Sequence, residues 1–131
     1  MIFVDSNIPM YLIGAEHPNK YRTQRLLDEA ISREQQLLTS AEVLQEILHR
    51  YGALDRLEAV QPAFDVLLAL VDEVLPVDLA DVQIAKRIMM GRLGLSARDA
   101  LHVAVMEQAG ISQVMSFDAG FDVYPGVERL S

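Results

Sequence analysis

The sequence predicts an α/β fold, a three-layer sandwich in which a central parallel sheet of about four to five short strands is flanked by helices. Three observations lead there. Short apolar runs alternate along the chain with longer stretches of helical periodicity. The short runs are apolar on both faces, as in strands buried between two layers. The intervening segments are long enough to serve as the crossover helices that parallel strands require.

The elements follow in chain order. Residues 2–5, IFVD, are a β-branched and aromatic run ending in an acid, and a helix opens near Ser6 or Asn7 with Pro9 tolerated in its first turn. Residues 19–35 space Leu26, Leu27, Ala30 and Ile31 three to four apart, an amphipathic helix. Residues 36–40, QLLTS, form a short strand running into a turn. Residues 41–51 set Val43, Leu44, Ile47, Leu48 and Tyr51 on one helical face, and Gly52 is expected to end that helix. Residues 54–71 form one helix or two, with Pro62 as the interruption. Residues 71–77 are an apolar strand closed by Pro76. Residues 79–94 are helical, with Leu79, Val82, Ile84, Ala85, Ile88 and Met89 as the apolar set. Residues 96–110 are a helix apolar nearly all round from Ala100 to Met106, and strands follow at 111–117 and 123–130. There is no internal repeat and no low-complexity segment.

Composition limits the function classes. With 51% hydrophobic and 23% charged residues, the balance is that of a globular chain. No apolar run approaches the ~20 residues that span a bilayer, so no membrane association is expected. The chain opens directly on MIFVD, with neither a basic region nor a small-residue cleavage site, so no export signal is expected and the expected location is cytoplasmic. Cysteine is absent, which rules out disulfides and thiolate metal sites. The net charge of −8 argues against a nucleic-acid coat. It leaves open a nuclease whose acidic cleft holds metal ions that are themselves the positive charge.

In parallel sheets the ligand crevice lies beyond the carboxyl ends of the strands. Asp5 and Asp118 fall at two such ends, Asp122 follows one turn later, Asp99 lies in the first turn of a helix, and Glu42 and Glu46 are one turn apart on another. Each acid has a purely structural explanation. Asp5, Ser6 or Asn7 can cap a helix, Ser96 with Asp99 and Thr39 with Glu42 fit capping boxes, and FDAGFD fits a turn. Glu46 is the exception, because it lies too deep in its helix to cap and flanks the apolar stripe of Leu44, Ile47 and Leu48. Taken together, four acids from four segments at one end of a sheet would repel one another unless they bind cations. Carboxylates without cysteine or paired histidines suit Mg²⁺ or Mn²⁺ rather than Zn²⁺. Such ions activate water, clamp phosphate and stabilise a leaving oxygen in phosphodiester hydrolysis.

At these residues the chain resembles the PIN-domain nucleases, and within them the VapC-like toxin ribonucleases of toxin–antitoxin pairs. IFVDSNI resembles the family's opening strand, with Asp5 as metal ligand and Ser6 where Thr is usual. TSAEVLQEIL resembles the second motif, which selects Glu46 and leaves Glu42 as a cap; ARDALHVAVMEQAGI resembles the third, placing Asp99. VMSFDAGFD resembles the fourth, with Ser116 and Asp118 in its hydroxyl-x-acid pattern and Asp122 as an additional acid. The resemblance implies a single PIN-like nuclease domain over residues 1–131 and a metal-dependent endoribonuclease. It also implies a homodimer and a cognate antitoxin partner whose segment enters the acidic groove. Asp5, Glu46, Asp99 and Asp118 would hold Mg²⁺ or Mn²⁺, with Asp122 auxiliary, and Ser6, Asn7 and Ser116 would hold the carboxylates. Among the cations available to RNA, Arg98 and Arg92 stand out over Arg50, Arg56, Lys86 and Arg87. His102 is expected to be a core histidine and His17 and His49 to be peripheral, while Met89, Met90, Met106 and Met115 are expected to fill core gaps.

Other classes fit less well. A receiver domain needs an acid pair after its first strand and a lysine after its last, yet the only lysines are Lys20 and Lys86. A haloacid-type phosphatase needs D-x-D after the first strand, where residue 7 is Asn. A PIN-domain nuclease of RNA processing and a non-catalytic protein-binding α/β module are the alternatives that remain.

Overall fold

The computed structural model describes all of residues 1–131 and contains one five-stranded sheet in the order β3-β2-β1-β4-β5, with every neighbouring pair parallel. The strands are β1 (Ile2–Val4), β2 (Leu37–Ser40), β3 (Glu73–Leu75), β4 (Gln113–Met115) and β5 (Glu128–Leu130). The helices are α1 (Asn7–Ile13), α2 (Pro18–Ser32), α3 (Ala41–Ala53), α4 (Val60–Leu70), α5 (Leu79–Met90) and α6 (Ala97–Ala109). Short 3-10 turns occupy Leu57–Ala59 and Ala119–Val123. No helix is long and apolar enough to cross a membrane.

The chain lays β2 and β3 on one side of β1, then crosses over to lay β4 and β5 on the other. Phe3 of β1 is therefore flanked by Leu38 and Val114. The strand order reverses at β1 and β4, which makes the crevice at their carboxyl ends a topological switch point. Asp5 follows β1 directly, and Ser116 follows β4. Twenty-five buried apolar residues form one core, in which Phe3, Ile8, Ile47, Leu67, Met106, Met115 and Phe121 are fully enclosed.

Several elements differ from expectation. Gly52 does not end α3, which runs to Ala53. Pro62 does not interrupt its helix, because α4 begins at Val60 and the proline falls in the first turn, where its missing N–H has no intrahelical partner to lose. Burial on both faces holds for β1 and β2, whereas the edge strands β3 and β5 are half open to solvent. Ser40, not Thr39, caps α3 by accepting the Val43 N–H at 3.3 Å, and the Thr39 hydroxyl instead donates to the Val4 carbonyl at 2.8 Å.

The largest departure is in α5. Of its expected apolar set only Ala85 and Ile88 are buried and Ile84 half-buried, whereas Leu79 is 71% exposed, Val82 50% and the adjoining Met90 73%. Met89 is exposed as well, so Met89 and Met90 fill no core gap. The cause lies at the start of the helix. A reciprocal capping box joins Asp78 to the Asp81 N–H and Asp81 to the Asp78 N–H, which turns the Asp81 carboxylate inward. With Asp81 buried, Leu79 and Val82 point outward.

This distribution gives a direct test by chemical denaturation. Leu67→Ala, in the core, should lower unfolding free energy by about 2–5 kcal/mol. Leu79→Ala should change it by no more than about 0.5 kcal/mol.

Candidate active site

At the carboxyl ends of β1 and β4 the polar side chains form one continuous network. Asp5 is 3% exposed, yet its carboxylate is fully engaged. The Ser6 N–H donates to its Oδ1 at 2.7 Å, the Ser116 hydroxyl to its Oδ2 at 2.6 Å and the Asn7 amide to Oδ2 at 3.4 Å. Asn7 also donates to the Ser116 hydroxyl at 3.2 Å and accepts the Phe117 N–H at 3.3 Å. The Asp118 N–H donates to the Ser116 hydroxyl at 3.0 Å. Ser116 thus couples the end of β4 to the end of β1.

The second anchor is Glu46, 5% exposed on α3. Ser6 stands at the start of α1 but makes no side-chain cap, because its hydroxyl donates to Glu46 Oε1. Glu46 Oε2 lies 3.2 Å from His102 Nε2 and 3.3 Å from Arg98 Nε. Burial by itself would raise the Glu46 carboxyl, but the hydrogen bonds from His102 and Ser6, with the charges of His102 and Arg98, bring it below the ordinary value. Burial raises Asp5, and Glu46 adds to that, against His102, Ser116 and the Ser6 N–H. His102 is likewise pulled two ways: burial disfavours its cation, while Glu46, Asp5 and Asp99 leave its pKa raised.

Asp99 and Asp118 form the solvent side. Ser96 caps α6 by accepting the Asp99 N–H at 3.1 Å, but the Asp99 carboxylate does not bond back and so is free to face the cluster. Asp118 Oδ1 accepts the Gly120 N–H at 2.8 Å. Both carboxylates press on Gly120, where a Cβ would meet Asp99 Oδ2 at 2.9 Å and Asp118 Oδ1 at 3.0 Å. Desolvation, followed by repulsion from Asp118 and Asp5, pushes Asp99 up to about 6.

The structure brings Asp5, Glu46, Asp99 and Asp118 together with Ser6, Asn7 and Ser116. It does not bring Asp122, whose carboxylate is held by Arg129 Nε at 2.8 Å and Nη2 at 2.9 Å. Gly120 accordingly makes room for Asp99 and Asp118 rather than folding Asp122 back to them. Arg98 is engaged by Glu46 at the rim, and Arg92 is exposed just beyond α5 in a left-handed conformation with φ 57°.

His102 is the residue that sequence reasoning placed differently. It is fully buried, but its Nε2 belongs to the acid cluster, 3.9 Å from Asp5 Oδ1, and its Nδ1 has no partner. The signal was present: three residues after Asp99 on one helix, it must share that face. One donor atom from each of Asp5, Glu46 and His102 lie within 4.8 Å of one another, close enough to share a metal ion. The wider donor set is dominated by carboxylate oxygens, the chemistry of a hard divalent cation.

The raised Asp99 pKa makes a testable statement about the metal-free protein. Unfolded, this carboxyl ionises near 3.8; folded, near about 6. Between those values the fold holds the extra proton, so stability falls as pH rises through the window and the full penalty remains above it. The shift is worth up to about 3 kcal/mol, reduced to about 1 kcal/mol by solvent screening at a half-exposed group. In chelator, Asp99→Asn should therefore be about 1 kcal/mol more stable than the parent at pH 7.5, and the gain should vanish towards pH 4. Thermal unfolding at the two pH values checks this; a gain that persists at pH 4 would count against it.

The chain is similar to several known proteins. The family model described as PIN domain matches residues 2–127. Ribonuclease VapC13 of Mycobacterium tuberculosis is 58% identical over 131 residues, covering 100% of both chains. Ribonuclease VapC23 of the same species is 36% identical over 118 residues, 90% of this chain and 93% of its own. The crystal structure of Mycobacterium tuberculosis VapC20, described as a sarcin-ricin loop cleaving toxin, superposes with a TM-score of 0.76 at 26% identity, covering 93% of each chain. The protein belongs to the PIN-domain family, among the VapC ribonucleases.

Proposed function

We propose that the protein is a divalent-metal-dependent endoribonuclease, the toxin of a toxin–antitoxin pair, working with Mg²⁺ or Mn²⁺. The observation that carries this reading is the convergence of Asp5, Glu46, Asp99 and Asp118 at the switch point, too many acids for Arg98 and His102 to neutralise while Arg129 is committed to Asp122. The ribonuclease names of the full-length relatives and the toxin description of VapC20 support it.

When bound, the divalent ion supplies a Lewis acid that activates water and balances charge on the phosphate. The chain's own residues set the frame. Ser6, Ser116 and Asn7 fix the Asp5 oxygens, and Ser6 and His102 fix those of Glu46, so both can act as ligands without rearranging. Asp99 and Asp118 present their oxygens on the open side, where the scissile phosphate must approach. Asp99, raised to about 6 by burial and by the neighbouring Asp118 and Asp5, would serve as a ligand in its ionised form. Arg98, at the rim, places a guanidinium where it can face a non-bridging phosphate oxygen. Hydrolysis adds water's hydroxyl to phosphorus and its proton to the departing 3′ oxygen, leaving a 5′-phosphate and a 3′-hydroxyl.

The proposal includes a cognate antitoxin that blocks the acidic groove, and a homodimer. Leu79, Val82, Met89 and Met90, left in solvent on α5, would suit a subunit contact.

The test is cleavage of structured and single-stranded RNA with Mg²⁺ or Mn²⁺. Asp5→Asn and Asp99→Asn should each lose at least ~100-fold in rate, while Ser116→Ala, which frees the Asp5 carboxylate and removes the acceptor for the Asn7 amide and the Asp118 N–H, should lose ~10–100-fold. A folded parent that neither cleaves RNA nor binds either ion would sink the reading.

A further inference from the structure

Beside the acid cluster lies a cavity of about 450 Å³ that the catalytic chemistry does not use. Its walls come from the end of α1 with the loop after it, and from the end of α3 with the segment that follows. Tyr11, Glu16, His17, Arg50, Tyr51 and Arg56 supply its functional side chains.

Both helices that line it also build the active site. On α1, Tyr11 follows Asn7 by four residues, and on α3, Arg50 follows Glu46 by four. Each step is ~6 Å along a helix axis, so the cavity lies one helical turn beyond the acids on two independent elements. An aromatic line bridges the distance. Phe117, between Ser116 and Asp118, meets Tyr11 edge-on with ring centroids 5.3 Å apart, and Tyr11 meets His17 at 5.0 Å.

Charge distinguishes this cavity from the rest of the surface. The protein carries a net −8, and its catalytic cleft is acidic. Arg50 has no carboxylate within ion-pair distance, whereas Arg56 pairs with Glu58 outside the cavity lining. Two guanidinium groups beside the half-buried Tyr11 ring and the exposed His17 imidazole are a combination that holds unpaired nucleotides, the guanidinium taking phosphate and a ring taking a base. Glu16, which accepts from the Tyr21 hydroxyl, adds an acceptor able to read an amino group on a base edge.

Building on the endoribonuclease reading above, we infer that this cavity is a nucleotide subsite for single-stranded RNA. It takes the base and phosphate of a nucleotide next to the scissile position, the base against Tyr11 and His17 and the phosphate at Arg50 and Arg56. The class of substrate this selects is RNA that is unpaired on that side of the cut, since a base held in a duplex cannot enter.

The experiment compares His17→Ala, Arg50→Glu and Arg56→Glu with the parent and with Arg25→Glu, an exposed charge change on α2. The first readout is steady-state cleavage of a single-stranded oligoribonucleotide and of the same sequence annealed to its complement. The second is binding of the single strand to proteins also carrying Asp99→Asn, which bypasses chemistry. Loss of one stacked base or one phosphate contact corresponds to about ten-fold. The expected result is a ten-fold or greater rise in KM for the single strand in the three cavity variants, the matching loss of binding, a kcat within two- to three-fold of the parent, and a parent preference for the single strand. Arg25→Glu should follow the parent. If the parent cleaves RNA but the cavity variants bind and cleave it unchanged, the subsite is overturned while the endoribonuclease reading stands. The subsite is likewise overturned if the variants lose only the capacity to be inhibited by the antitoxin, since the cavity then receives a protein segment. A parent inert towards every RNA removes the reading on which the subsite rests.

Discussion

The rest of the structure depends on burying the Asp5 carboxylate at the end of the central strand. An isolated buried carboxylate would be driven to its neutral form. Here the surroundings supply a backbone N–H, a hydroxyl and an amide from three positions, with His102 close behind. That demand explains why a small hydroxyl residue, Ser116, follows β4, while the same need at the buried Glu46 draws the Ser6 hydroxyl away from capping α1 and sets His102 on the buried face of α6. It also explains the division of the four acids. Asp5 and Glu46 are held from behind by fixed donors, whereas Asp99 and Asp118 face outward with little to offset their mutual repulsion.

The fold was legible because its signals are local. A sheet with buried central strands writes continuous apolar runs into the sequence, and the crossover helices between them announce themselves by periodicity. The short strands, their parallel arrangement and the acids at their carboxyl ends all follow from those patterns. What failed were inferences that depended on which side of an element met the core. The apolar residues of α5 read as a buried face, but Asp81 was drawn inward by the capping box, and helical periodicity alone does not choose between two mixed faces.

The site was legible in its acids but not in its supports. Asp5, Glu46, Asp99 and Asp118 are exceptional in sequence because together they gather at one end of the sheet with more charge than local capping accounts for. His102 is not exceptional, since a histidine in an apolar helix is commonly just packed; only the approach of α3 to α6 gives its Nε2 a partner in Glu46. Asp122 is tied to a different partner. Its spacing from Asp118 suggests a shared site, but the pairing of β4 with β5 sets Arg129 beside Val114, and its guanidinium takes the Asp122 carboxylate through two nitrogens.

That Arg129 pair sits on an edge strand. The Leu130 carbonyl accepts the Ser116 N–H at 3.1 Å, and Arg129 donates to the Ser116 carbonyl at 3.3 Å, so both backbone groups of the residue that clamps Asp5 are held by β5. Edge strands with half-open faces are among the first parts of a fold to open, well before the core does. Opening of β5 would therefore release the residue that clamps Asp5 without any melting of the core. With the core fully intact, the clamp on Asp5 would be lost if that strand lifted away and regained when it closed.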